Sequence, residues 1–163
     1  MSIRRGVRLA LDWGDARIGV AACDRDGTLA YPVATVAAGP TELTEIGRLV
    51  GEYEPIELLV GFPRSLHGGE GPAALKARGR AAGLAAAVGV PVRLVDERLS
   101  TVTAAQRLRA SGKRARQQRA LIDAAAAVAI LEQALAVEGS RSSPPGELVS
   151  APGGPSETDS EPA

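Results

Sequence analysis

The order of apolar runs is what most restricts the fold of this chain. Val7 to Trp13 and Arg17 to Cys23 are short aliphatic runs, and only Gly14, Asp15 and Ala16 separate them, which suits a tight hairpin. Asp24-Arg25-Asp26-Gly27 supplies a second turn, and Thr28 to Val36 reads as a third strand. Helix and strand then alternate. A helix runs from Thr41, a suitable N-cap, to about Tyr53, followed by a strand over Glu57 to Val60. Gly61 to Gly71 is a loop, Pro72 opens a helix reaching about Val88, and Val92 to Val95 is a fifth strand. Two further helices, about Ser100 to Ala110 and Ala115 to Val137, are separated at Gly112. Strands joined through helices run parallel, so the expected architecture is α/β: a five-stranded mixed sheet, three antiparallel hairpin strands plus two parallel, flanked by helices.

Composition sets the limits around that plan. The chain has 163 residues, enough for one domain with a sizeable core. There is no apolar run near the length that spans a bilayer and no secretory signal after the basic start, so a cytoplasmic protein without a membrane role is expected. The single cysteine, Cys23, allows no internal disulfide and reads as a buried small hydrophobe. From Gly139 onward the chain is acidic and rich in Ser, Pro and Gly, so residues 1–138 are expected to form the domain and 139–163 a disordered tail.

Three acids stand out. Asp12 ends the apolar run of the first strand, and Glu97 follows the fifth. Carboxyl ends of parallel strands are where sites in such sheets gather. Asp123 is the only polar residue between Ala120 and Leu131, with Ala126, Ala127 and Ile130 as its helical neighbours. A buried carboxylate costs several kcal/mol unless a cation or donors meet it. Taken singly, Asp12 could be a turn residue, Asp123 an N-cap and Glu97 a surface ion-pair partner, with Asp96 as the inward acid instead. Together the three form a set of oxygen ligands suited to Mg²⁺ or Mn²⁺, and paired ions of that kind can activate water on a phosphodiester.

The zero net charge conceals an asymmetry, with eighteen bases against fourteen acids up to residue 137 and one base against five acids after it. Between Glu97 and Asp123 seven bases occur and no acid. Arg98, Lys113, Arg114, Arg116 and Arg119 from that stretch, with Arg17 and Arg64, are the expected nucleic-acid contacts. His67, the only histidine, lies in the 64–71 loop, which is expected to flank the site as a flap.

These residues occur in motifs that resemble one family. Leu11-Asp12-Trp13-Gly14 with Arg17-Ile18-Gly19-Val20-Ala21, then Val60-Gly61-Phe62-Pro63 with Gly68 and Gly71, then Asp96-Glu97-Arg98-Leu99-Ser100-Thr101, then Ile122-Asp123 with Ala125 and Ala126, follow the order of the YqgF (RuvX-like) family. The resemblance covers residues 7–137. It implies a ribonuclease H-like fold and metal-dependent phosphodiester hydrolysis in maturing the 5′ end of pre-16S rRNA, a step of ribosome biogenesis with a ribosomal partner. Asp12, Glu97 and Asp123 match the family's catalytic acids. Related resolvases carry further acids where this chain has Gly61-Phe62 and Ala126, so the resemblance implies a sparse ligand set. Alternatives are a Holliday-junction resolvase and a catalytically silent RNA- or ribosome-binding protein. Asp12-Trp13-Gly14 before Gly19-Val20-Ala21 also resembles the first phosphate loop of actin-like kinases, which need a second such lobe.

Overall fold

The structure, a computed structural model, describes residues 3–63, 71–96 and 115–149, and for 115–123 the backbone alone. Its elements are β1 (Arg8–Trp13), β2 (Arg17–Cys23), β3 (Ala30–Ala37), α1 (Glu42–Tyr53), β4 (Glu57–Phe62), α2 (Pro72–Val88), β5 (Val92–Asp96), α3 (Ala115–Arg141) and β6 (Glu147–Val149). The expected helix over 100–110 lies outside the described residues. The sheet order is β3-β2-β1-β4-β5-β6. The first three strands pair antiparallel, and β4 and β5 run parallel to β1.

Strand alternation divides the core in two. Leu9, Leu11, Ile18, Val20, Val60 and Leu94 pack with α1 and α2. Ala10, Ala21, Cys23, Leu59 and Val95 pack with Ala127, Ile130, Leu131 and Ala134 of α3. Alanines on both partners, Ala10 and Ala21 on the sheet and Ala127 and Ala134 on the helix, let α3 lie close to the sheet. Because both faces are covered, β1 and β4 read as continuous apolar runs.

Local signals set the helix ends. Pro72 occupies the start of α2, and Gly89 closes it in the left-handed conformation, φ 70°. Thr41 takes the N-cap position of α1 without a side-chain cap bond, and Glu42 instead accepts the Gly39 N–H at 3.1 Å.

The sheet has six strands where five were expected, because β6 adds to β5 antiparallel. Residues 139–149, expected in the tail, thus carry the end of α3 and this last strand; residues 150–163 lie outside the described residues. Three features hold β6. Leu148 sits opposite Arg93 in the ladder. Arg78 of α2 donates to both Glu147 carboxylate oxygens, at 3.1 and 3.0 Å. Gly146 takes φ 70°, and a Cβ there would lie 2.1 Å from the Leu94 carbonyl oxygen.

At the amino ends of the parallel strands lies a buried ionic network. Glu57 accepts from Arg4 at 2.6 Å and from Arg93 at 2.8 Å. Glu138 accepts from Arg8 at 2.7 Å and also from Arg4. Arg8, Glu57 and Glu138 are at most 1% exposed. The network ties β1, β4, β5 and α3 together at the end of the sheet away from Asp12.

Candidate active site

Strand register determines what reaches the other end of the sheet. Leu11 pairs with Val60, so Asp12 and Gly61 are the next residues at the carboxyl ends of β1 and β4. Gly61 in turn lies opposite Val95, and Phe62 opposite Asp96. Ala10 packs against α3, and Asp12, two residues on, faces the same side. Asp12 is only 7% exposed, an acid carried into the interior by the strand that precedes it.

Asp12 lines a cleft of about 300 Å³ at the carboxyl ends of β1 and β4. Trp13, Gly14 and Gly61 line it with Lys76 and Arg80 of α2. The two bases are four residues apart, one helical turn, so they project from one face of α2. Both reach Oδ1 of Asp15 in the β1–β2 turn, Lys76 Nζ at 2.7 Å and an Arg80 guanidinium nitrogen at 3.0 Å. Hydrogen bonds from Lys76 and then Arg80 hold the Asp15 carboxyl below its ordinary pKa. Arg80 also lies 5.8 Å from the Trp13 ring centroid and donates to the Trp13 carbonyl at 3.4 Å.

The expected site residues divide by what the structure describes. Asp12 is in the cleft. Asp123 lies within α3, which starts at Ala115, so it is interior to the helix and not its N-cap. Arg116 and Arg119 belong to the first turns of α3, their side chains outside the description along with that of Asp123. Arg17 opens β2, and alternation from Ala21 puts it on the α3 side with Asp12. Glu97, Arg64, Arg98, Lys113, Arg114 and His67 lie outside the described residues. Lys76 and Arg80 were not expected. Their spacing on α2 was visible, but which face of that helix meets β1 is decided by the sheet order.

Among the described residues no three His, Cys, Asp or Glu side chains converge, and of the expected trio only the side chain of Asp12 is described. Among its described lining residues the cleft offers carboxylate oxygen and no imidazole or thiol. That donor chemistry fits a hard divalent cation and not zinc. Among the described residues no helix is long and apolar enough to cross a membrane.

Comparison with known proteins shows the family and the fold. A relative from Streptomyces coelicolor, named "Putative pre-16S rRNA nuclease", is 59% identical over 150 residues, covering 90% of each chain. One of the same name from Thermobifida fusca is 54% identical over 157 residues, covering 90% of this chain and 98% of its own. Thermus thermophilus RuvC, solved in complex with a Holliday junction substrate, superimposes with a TM-score of 0.51 at 19% identity, over 83% of this chain and 96% of its own. That likeness establishes the ribonuclease H-like fold. The profile described as "RuvX: Holliday junction resolvase" matches residues 6–137, and the chain belongs to the RuvX family.

Proposed function

We propose that the protein is a cytoplasmic, Mg²⁺- or Mn²⁺-dependent nuclease that hydrolyses phosphodiester bonds in maturing the 5′ end of pre-16S rRNA. One observation carries the reading of the site. Ala10, Val95 and Ala127 belong to a single packed cluster between the sheet and α3. Asp12 and Glu97 are each two residues, one strand repeat, beyond Ala10 and Val95, and Asp123 is one helical turn before Ala127. By sequence spacing the three acids thus follow the repeat of this one cluster, which is the basis of the reading; Glu97 and the side chain of Asp123 lie outside the described residues. Strand repeat also favours Glu97 over Asp96, because Asp96 alternates with Val95.

In this reading Asp12, Glu97 and Asp123 hold the metal, which when bound supplies Lewis-acid stabilisation and an activated water. The chain's own residues do the rest. Burial of Asp12 keeps its carboxylate positioned and partly dehydrated, so it binds a cation more strongly than an exposed acid would. Arg17, Arg64, Arg98, Lys113, Arg114, Arg116 and Arg119 contact backbone phosphates, and a ribosomal precursor particle is the physiological partner.

Substrate choice is tested by incubating the protein and Mg²⁺ or Mn²⁺ with a labelled pre-16S rRNA 5′-leader fragment and, separately, with a synthetic four-way DNA junction. The proposal requires cleavage of the RNA in preference to the junction. Preferential cutting of the junction would assign the site to resolvase chemistry, and binding of RNA without turnover would make the protein a silent binder.

A further inference from the structure

We propose that Lys76 and Arg80 form a phosphate clamp for the substrate strand beside Asp12, and that Asp15 occupies this clamp while no nucleic acid is bound. The inference rests on the nuclease reading and adds to it two binding residues and an internal competitor.

Convergence is the first argument. Lys76 and Arg80 both donate to one oxygen of one carboxylate, at 2.7 and 3.0 Å. Two cations on a single anionic oxygen is also how a non-bridging phosphate oxygen is held. The Asp15 carboxylate stands in that place.

Build is the second argument. The Arg80 side chain is 22% exposed, laid against the Trp13 ring and bonded to the Trp13 carbonyl, so its guanidinium is set in position before any ligand arrives. Its other terminal nitrogen, now on Asp15, is left to donate a charge-assisted hydrogen bond to a phosphate oxygen. Asp15 is the opposite, with a side chain 82% exposed on a three-residue hairpin turn. Ion pairs at that exposure are weak and easily exchanged.

Location is the third. Asp12, Lys76 and Arg80 line one cleft at the carboxyl ends of β1 and β4. A strand crossing the carboxyl edge with its scissile phosphate at Asp12 would place a flanking phosphate at Lys76 and Arg80. Displacing Asp15 would free both positive charges for that phosphate and leave the carboxylate in water.

The test is fluorescence anisotropy of a labelled pre-16S rRNA 5′-leader fragment over a salt series in EDTA, with thermal midpoints measured alongside. Asp15→Asn removes the competitor and should tighten binding about twofold to fivefold. Lys76→Gln should weaken binding and make the salt slope shallower, and Lys76→Gln/Arg80→Gln should lower the slope by about 0.7, the share of the one clamped phosphate on a single strand. Unchanged affinity and slope in Lys76→Gln would overturn the clamp, and this variant decides even if the double variant unfolds, because its side chain is 57% exposed. Weaker binding by Asp15→Asn, together with a lower thermal midpoint, would overturn the competitor role and make the ion pairs a pin between α2 and the hairpin. Cleavage by the unaltered protein in Mg²⁺ is scored separately. Loss of the nuclease reading is therefore told apart from loss of the clamp.

Discussion

Replacing Glu138 with Ala should be among the most damaging single changes outside the site. Glu138 is 1% exposed and accepts hydrogen bonds from both Arg4 and Arg8, and Arg8 is itself fully buried. Removing one member of a buried pair costs about 3–5 kcal/mol, because the other charge remains without compensation. Here the loss should fall near the lower figure. Arg8 keeps its bonds to the Gly6 carbonyl at 3.0 Å and the Arg4 carbonyl at 2.6 Å, and Glu57 remains 3.9 Å from its Nε. In a domain of this size each kcal/mol lowers the thermal midpoint by roughly 2–4 °C, so a fall of about 6–12 °C is expected. Urea unfolding followed by far-ultraviolet circular dichroism measures the same loss as a lower midpoint at unchanged slope. Buried pairs are poorly screened, so the difference between variant and parent should persist as salt rises. A loss below about 1 kcal/mol would mean that the network behaves as an exposed ion pair, and the account of this end of the sheet would be wrong.

Three further outcomes follow from the fold. Gly146→Ala places a methyl group against the Leu94 carbonyl at a left-handed backbone position, so it should cost about 1–3 kcal/mol and release β6 to faster amide exchange; parental exchange in β6 would contradict this. Truncation after Arg141 should likewise lower the thermal midpoint, whereas truncation after Val149 removes none of the six strands and should leave the midpoint within a few degrees. Burial raises the pKa of the Cys23 thiol, so it should resist alkylation in the native protein and react only on unfolding. Its contribution to stability is intact below the ordinary thiol pKa and is lost as pH rises through the raised value; rapid native labelling near neutral pH would contradict the packing around it.

Much of the architecture was legible because its signals are local. The hairpin turn after Trp13, Pro72 at the start of α2 and the apolar runs of β1, β4 and β5 are each set by neighbours in sequence. Asp12 was legible for the same reason, a polar residue ending a strand buried on both faces. What escaped depends on distant partners. β6 is three residues long and has no pattern of its own; it exists because β5 offers an edge and Arg78 lies 69 residues away from Glu147. Glu57 read as the start of an apolar strand and Glu138 as the first of the five acids after residue 137. Their burial is tolerated because Arg4 and Arg8 lie within reach from positions 53 and 130 residues distant. Lys76 and Arg80 were visible as a helical pair, but only the packing of α2 over β4 and β5 brings them to Trp13 and Asp15.

The central claim is that Asp12, Glu97 and Asp123 act as one metal site. The most direct measurement is single-turnover cleavage of the pre-16S rRNA 5′-leader fragment in Mg²⁺ by Asp12→Asn, Glu97→Gln and Asp123→Asn, singly and combined, with Asp96→Asn as the comparison. Each single change in the trio should leave the thermal midpoint unchanged or slightly raised, since like charges are relieved, while cutting the rate by orders of magnitude. Combining them should add little, because one missing ligand already disables the unit, and Asp96→Asn should remain active. Near-normal cleavage by a folded Asp12→Asn protein, or losses that simply multiply across the trio, would contradict the account.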